Sequence, residues 1–254
     1  MNWFEIFSIL LGWSYTLCWG ISFYPQVLLN FKRKSLSSIL IFLKKKSIIS
    51  FLNVLGFICY SISTSALLFS KTVRKEYSDQ LKTPNVRFND LVFSLHALIL
   101  SLITWYQSLI YKRDSNQRVS TITKRLILLI SLFLALQLFV TINSESSRED
   151  YPSRYNYLNL IRSVSSVKAL ISIIKYLPQL NMNFKRKSTI GWSIGNIILD
   201  LLGGILSLFQ MVLDSGLAHD WSSLTSNPGK LGISLVSIGF DFLFMIQHYL
   251  PSYF

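Results

Sequence analysis

Two neighbouring apolar stretches of the sequence carry charged and amide side chains at helical spacing. Lys175, Gln179 and Asn183 follow one another at intervals of four residues, so a helix places them on one face. Asn196 and Asp200 have the same spacing in the next stretch. Ionisable side chains inside membrane spans are rare and typically line a functional site. One ammonium and one carboxylate group together suit a solute with both charges, such as an amino acid, and these five residues are predicted to bind it.

An earlier stretch carries a similar face without the charges. Gln26 and Asn30 repeat the amide spacing, and Trp19 and Phe23 precede them on the same helical stretch. We expect these four side chains to form the other wall of the substrate-binding site, with the two rings covering the solute.

Three aspartates inside apolar stretches are candidates for proton coupling. Asp200 faces the predicted site, where a partly desolvated carboxyl group can bind and release a proton. Asp90, at the start of the third apolar stretch, and Asp241, in the seventh, each begin an Asp-x-x-Phe sequence. Two structural roles stay open: Asp200 could form a buried ion pair with Lys175 that fixes helix packing, and Asp90 could cap a helix.

The helix that carries Lys175 has two further features. Lys168 lies seven residues before Lys175 and therefore roughly on the same face. Pro178 removes a backbone hydrogen bond from this helix, and Pro25 does so in the earlier one, so both prolines are predicted hinges.

The composition excludes several classes of protein. Hydrophobic residues make up 51% of the 254 residues and charged residues 15%, with a mean hydropathy of +0.42, which is too apolar for an ordinary soluble domain. The net charge of +13 does not indicate nucleic-acid binding, because the basic residues lie in short clusters between apolar stretches. Cys18 and Cys59 are too few for a disulfide framework or a metal site. The sequence has no nucleophile–base arrangement or phosphate-binding glycine loop, so we expect no enzyme activity and no cofactor.

Seven apolar stretches are long enough to cross a bilayer, which requires about 20 residues. The predicted fold is therefore an all-α membrane protein with seven transmembrane helices. The first stretch lacks a basic start and carries Glu5, so it is expected to be retained rather than cleaved as a signal. The predicted spans are Ile6–Leu29, Ser47–Leu68, Leu91–Tyr111, Leu126–Thr141, Leu158–Leu180, Ile190–Leu213 and Leu231–Tyr249.

The distribution of basic residues predicts the orientation of the chain. The loops after the first, third and fifth spans hold 14 Lys and Arg residues, whereas the other loops hold 8. Cytosolic loops are enriched in Lys and Arg. We therefore expect the C-terminus in the cytosol and the N-terminus on the opposite side, which in an organelle is the lumen.

The chain contains an internal repeat. Residues 25–35 and 178–188 are identical at eight of eleven positions, at an offset of 153. The match continues one span later and two spans later, although at slightly different offsets. In that continuation Asn53 is paired with Asp200, and Asp90 is paired with Asp241.

The repeat predicts the domain organisation. Spans one to three correspond to spans five to seven, and the single span between them makes both halves cross the membrane in the same direction. Such repeats place a solute site between the halves; the alternative is a duplicated bundle without transport. The predicted units are a first repeat at 1–111, a linker with the fourth span at 112–155 and a second repeat at 156–254.

These motifs resemble the PQ-loop family and, within it, the carriers of cystine. The resemblance rests on the duplicated Pro-Gln motif and on a specific run from Lys187 to Asn196 that continues to Asp200, Gly203 and Gly204. Further segments that carry it are 19–26, 89–97, 175–179 and 240–248.

The resemblance implies a carrier that exports cystine together with a proton from an acidic organelle, such as a lysosome, vacuole or endosome. It also implies that the site residues named above contact cystine or carry the proton. Cystine has two ammonium and two carboxylate groups, which agrees with the mixed charges of the site. Ile48 stands where the family has an aspartate, beside a six-residue excess that includes Lys44–Lys46.

Two other functions stay open. A carrier of the same fold could transport cationic or other amino acids, whereas a sugar carrier would not need Lys175 and Asp200 together. A receptor of the same fold could bind its cargo in a pH-dependent way without moving it. The transport hypothesis predicts alternating access, in which the two halves rock about Pro25 and Pro178 and expose the site to each side in turn.

Overall fold

The computed structural model describes residues 2–33, 46–80, 84–110, 121–145, 156–189 and 194–250. These residues are almost entirely helical and include no β-strand. The helices are α1 (Trp3–Arg33), α2 (Lys46–Phe69), α3 (Lys71–Asp79), α4 (Phe88–Ile110), α5 (Thr121–Glu145), α6 (Tyr157–Arg186), α7 (Ile194–Leu217) and α8 (Pro228–Tyr249), with a short 3-10 helix at Trp221–Thr225.

Seven of these helices are long and apolar enough to cross a membrane, and they confirm the seven predicted spans. They are α1, α2 and α4 to α8. Helices α1 and α6 are longer than predicted, with 31 and 30 residues, because each continues into a basic segment. Helix α3 and the 3-10 helix were not predicted, since both are too short to span. The predicted span ends Tyr111 and Ile190, and Lys44 and Lys45, lie outside the described residues.

Side-chain caps fix where three helices begin. Ser70, Asn156 and Asn227 each accept a hydrogen bond from the backbone N–H three residues further on, at 3.4, 2.8 and 3.1 Å. Such caps satisfy one of the backbone donors that a helix leaves unpaired at its start. Pro228 follows the third cap at the first helical position, where its missing N–H costs nothing. The starts of α3, α6 and α8 are therefore encoded locally.

The helices pack as two groups of three with the same internal order. Helix α4 lies between α1 and α2, and α8 lies between α6 and α7. The groups meet along two seams, where α1 packs on α7 and α2 packs on α6. Helix α5 packs mainly against α6 and α2, at the edge of the bundle. This arrangement is the one expected for two repeats joined by a linker helix. Four helices begin at the same end of the bundle, which is here called the N-terminal end: α1, α4, α6 and α8.

The structure corrects one detail of the repeat. Gln107 donates to the carbonyl of Val27 at 3.2 Å, and Gln247 donates to the carbonyl of Leu180 at 3.0 Å, so the two glutamines are equivalent. Their offset of 140 also relates the first residues of α4 and α8. The sequence pairing of Asp90 with Asp241 was therefore wrong, because a short Asp-x-x-Phe match recurs there out of register. The true counterparts are Lys230 for Asp90 and Ser101 for Asp241.

An aromatic cluster fills the centre of the bundle. Its rings come from α1, α2 and α4, with centroids 5.0–6.3 Å apart. The indole of Trp19 crosses to the second half, where it packs on Gly203 of α7. A Cβ atom at position 203 would lie 2.5 Å from Cδ1 of Trp19, so the close approach requires glycine. The buried cluster consists of Tyr15, Trp19, Phe57, Tyr60 and Phe93.

This contact predicts that Gly203→Ala destabilises the fold. The added methyl group would force the Trp19 ring or the α1–α7 seam to shift, and overpacking of this kind costs about 1–3 kcal/mol. Gly216→Ala is the matched control, because it lies on the same helix and a Cβ atom there meets no atom within 4 Å. Thermal unfolding in detergent should show a lower Tm for Gly203→Ala only. Equal Tm values for the two variants would contradict the packing argument.

Candidate functional site

Two carboxyl groups lie side by side where α7 meets α8. The carboxyl of Asp241 is within hydrogen-bonding reach of the carboxyl of Asp200, and Asp241 is only 2% exposed. Tyr176 of α6 donates a hydrogen bond to Oδ2 of Asp200 at 2.7 Å. Oδ2 of Asp241 has no hydrogen-bond partner within the described part of the chain. Because two negative charges this close repel each other, the pair is suited to hold one proton between them.

Lys175 lies close to this pair of carboxyl groups. It lies on the α6 face that also carries the buried residues Lys168 and Gln179, yet its own side chain is exposed. Its ammonium group is 4.9 Å from the centre of the Tyr176 ring. The described ion pairs within 4.0 Å do not include Lys175 with Asp200. The two charges are thus neighbours that do not form an ion pair with each other.

A second lysine lies close by on the seam between α6 and α2. The ammonium group of Lys168 donates to Oδ1 of Asn53 at 3.1 Å and sits 3.6 Å above the ring of Phe57. Asn53 in turn donates to Oγ of Ser101 at 2.9 Å. A buried cation is tolerated where an amide oxygen and an aromatic face replace its hydration. Its heptad spacing from Lys175 was the signal in the sequence, but Lys168 was not among the predicted site residues.

The two halves present the same positions with different charges. Asn53 and Ser101 of the first half are hydrogen-bonded to each other, and they correspond to the neighbouring Asp200 and Asp241 of the second half. The prediction that the scaffold is symmetric while the charges are not therefore agrees with the geometry.

Four amide side chains predicted to contact the solute are engaged in hydrogen bonds within their own half. Gln26 donates to Asn30 at 2.8 Å, and Asn30 donates to Gln107 at 3.1 Å. The second half repeats this chain with two distances of 3.1 Å. Asn30, Gln179 and Asn183 are buried, whereas Gln26 is exposed. The repeated chain runs from Gln179 to Asn183 and on to Gln247.

The two Gln–Asn–Gln chains tie α1 to α4 and α6 to α8 at the end opposite the N-terminal end. Gln107 and Gln247, which complete them, were missed by the sequence reading. Both lie near the ends of their helices. No motif marks Gln107, and Gln247 lies in the segment 240–248 of the resemblance without an assigned role. A direct contact of the four predicted amides with a solute stays a prediction.

The other predicted residues lie around the same seams. Asn196 is in the first turn of α7, one turn before Asp200, and is partly exposed. Phe23 packs on Phe57 with ring centroids 5.6 Å apart. Trp19 is almost fully buried, and its Nε1 donates to the backbone carbonyl of Asp200 at 3.0 Å. Pro25 and Pro178 lie inside continuous helices, as the hinge prediction requires.

Asp90 lies apart from the other two aspartates, in a buried network at the N-terminal end. Its Oδ1 is 2.7 Å from the ammonium group of Lys230, and neither side chain has exposed surface. Tyr15 also donates to Oδ1, and the N–H of Arg87 donates to Oδ2 at 2.7 Å. Lys230 donates further to Gln210 of α7 at 2.8 Å. The Arg87 bond is a helix cap, so the capping alternative for Asp90 holds, and the ion pair adds a link between the halves.

The chain matches one family model, and the similar proteins below have related names. The family model described as PQ loop repeat matches residues 7–73 and 160–220. A cystinosin homolog of Dictyostelium discoideum is 40% identical over 98% of this chain and 83% of its own length. Cystinosin of Bos taurus is 36% identical over 96% of this chain and 63% of its own length. A cystine transporter of Saccharomyces cerevisiae is 29% identical over 94% of this chain and 91% of its own length.

The buried ion pair predicts a large asymmetry between single and double substitutions. Asp90→Asn leaves the charge of Lys230 buried without a carboxylate, a change that costs about 3–5 kcal/mol. Asp90→Asn combined with Lys230→Met removes both charges and should recover most of this loss. The Tm in detergent measures both effects, with Asp79→Asn on the exposed face of α3 as the control. A single variant as stable as the wild type would show that the pair does not hold the helices together.

Proposed function

Because the chain belongs to the PQ-loop family, and within it groups with the cystinosins, we propose that it transports cystine out of an acidic organelle together with a proton. The observation that carries the proposal is the mixed-charge cluster of the second half, whose residues lie on α6, α7 and α8. Exposed Lys175 lies beside the Asp200–Asp241 pair without being paired to either carboxylate. The relatives named as cystine carriers support the identity of the solute.

The cluster has the groups that cystine needs. The ammonium of Lys175 attracts a carboxylate of cystine, and the Asp200–Asp241 pair attracts an ammonium group. Asn196 and the amides of Gln26, Asn30, Gln179 and Asn183 supply neutral donors and acceptors. The rings of Trp19 and Phe23 close the site from the first half. Lys168 acts from the α2–α6 seam, where it orients Asn53.

The carboxyl pair also provides the proton site. In an acidic lumen the pair carries a proton when the solute enters, so that Asp200 and Asp241 together hold a single negative charge. In the near-neutral cytosol the proton leaves, the repulsion between the carboxylates returns and the arrangement that held the solute is disturbed. Proton release and cystine release are thereby linked.

Alternating access gives the proton and the solute a common route. The two halves rock against each other about Pro25 and Pro178, with the N-terminus in the lumen and the C-terminus in the cytosol. Asp90 contributes at a second point, because its ion pair with Lys230 joins α4 of one half to α8 of the other.

The first prediction of this proposal concerns flux. Sealed vesicles with the N-terminal side facing an acidic outer buffer should take up labelled cystine faster as the proton gradient increases. Asp200→Asn should lower the uptake about tenfold or more. The amide of asparagine can neither bind the transported proton nor carry the negative charge of the carboxylate. Asp79→Asn removes an exposed carboxylate outside the spans and should leave the uptake unchanged.

The outcomes of this experiment separate the alternatives. Wild-type protein that binds cystine in a pH-dependent way without flux would contradict transport and favour a cargo receptor. Protein that is folded but does not bind cystine would contradict the substrate, and uptake of labelled lysine and arginine would then decide whether a cationic amino acid replaces it.

The second prediction concerns affinity. Lys175→Gln removes the charge that attracts a carboxylate of the solute, and a lost charge-assisted hydrogen bond corresponds to about a 10–100-fold rise in KM for cystine. Lys185→Gln is the matched control, because Lys185 lies exposed in the last turn of the same helix. An unchanged KM in Lys175→Gln would exclude Lys175 from the cystine site.

A further inference from the structure

Arg87 and Asp214 join the two halves at the N-terminal end of the bundle. Nε and Nη2 of Arg87, just before α4, donate to Oδ2 and Oδ1 of Asp214 in α7 at 2.7 and 2.6 Å. Ser8 of α1 donates to Oδ1 of the same carboxylate at 2.5 Å. The two charged side chains are 31% and 12% exposed, so the pair is partly shielded from water. A bidentate pair of hydrogen bonds between guanidinium and carboxylate is stronger than a single hydrogen bond and restricts the geometry more.

Further bonds between the halves surround this pair. Gln210 of α7 donates to the carbonyl of Ser8 at 3.0 Å, and Asn85 donates to the carbonyl of Met211 at 3.0 Å. At the opposite end, the two Gln–Asn–Gln chains remain within one half each. Among the described residues, which omit 34–45 and 190–193 at that end, the side-chain hydrogen bonds that cross the seams lie at the centre and at the N-terminal end. The structure is therefore closed at the N-terminal end.

We infer that the Arg87–Asp214 pair is a latch that holds the N-terminal end closed and sets the fraction of molecules open on that side. The inference rests on the alternating access proposed above. Opening that end separates α4 of one half from α7 of the other, and the pair spans that gap. Ser8 ties α1 to the same carboxylate, so three helices separate only when this one site comes apart.

The Arg87 side of the latch keeps its charge. Its hydrogen bonds to Asp214 raise the pKa of the Arg87 guanidinium, with the nearby negative charge adding to the effect. Arg87 is thus charged throughout the physiological range. In this respect Arg87 differs from the carboxyl pair of the site, which is proposed above to exchange a proton.

The test measures how often the N-terminal end opens and does not involve cystine. Ser94 lies one turn after Asp90 on α4 and has no exposed surface in the closed state. A thiol introduced by Ser94→Cys, with Cys18→Ser and Cys59→Ser, therefore reacts with a charged thiol reagent only when that end opens. Arg87→Ala and Asp214→Ala should each raise the reaction rate about fivefold in detergent solution. Lys75→Ala, which removes an exposed positive charge of α3 at the same end, should leave it unchanged.

Reversal of the charges tests the pair itself. Arg87→Asp and Asp214→Arg should each raise the rate, and the two together should return it towards the starting value. If Arg87→Ala does not fold, Arg87→Lys replaces it, because lysine keeps the charge but cannot make both bonds. The latch would be overturned if Arg87→Ala and Asp214→Ala reacted at the same rate as Lys75→Ala. It would also be overturned if the variant with both charges reversed reacted as fast as the variants with one charge reversed. The uptake assay remains the separate test of cystine transport.

Discussion

The structure depends on the cost of placing ionised side chains among apolar helices. A charge at the centre of a bilayer costs about 2.5–3.5 kcal/mol even on insertion scales, and a polar partner lowers that cost. Here the partners come from other helices: Asp90 of α4 for Lys230 of α8, Asn53 of α2 for Lys168 of α6, and Tyr176 of α6 for Asp200 of α7. Every such bond also fixes how two helices lie against each other. The polar groups that suit a solute thus help to define the bundle that holds them.

Duplication separates the scaffold from the chemistry. The Gln–Asn–Gln chain that ties the helices together occurs in both halves with nearly equal distances. The position that holds Asn53 beside Ser101 in the first half holds Asp200 beside Asp241 in the second. The first pair is neutral and satisfied internally, whereas the second is acidic and has one oxygen without a partner in the described chain. At this position the first half therefore keeps the same packing without a charge, and the second half carries the two carboxyl groups.

The sequence predicts the spans and much of the site, because hydropathy and helical spacing are local properties. The seven helices and the common face of Lys175, Gln179 and Asn183 follow from them directly. The register of the repeat does not, since a short Asp-x-x-Phe match could not show that Asp90 pairs with Lys230 across the seam. The contact of Tyr176 with Asp200 likewise depends on how α6 meets α7. Side-chain partners on different helices are set by packing, which no local pattern encodes.

Helix α5 packs mainly against α6 and α2, and its Ile130 lies in the buried cluster where those two helices meet. Its topological task is to return the chain to the side from which the first repeat started, so that both repeats can be read in the same direction. The helix that connects the two repeats along the chain therefore also joins them in space, because it contacts α2 of the first half and α6 of the second.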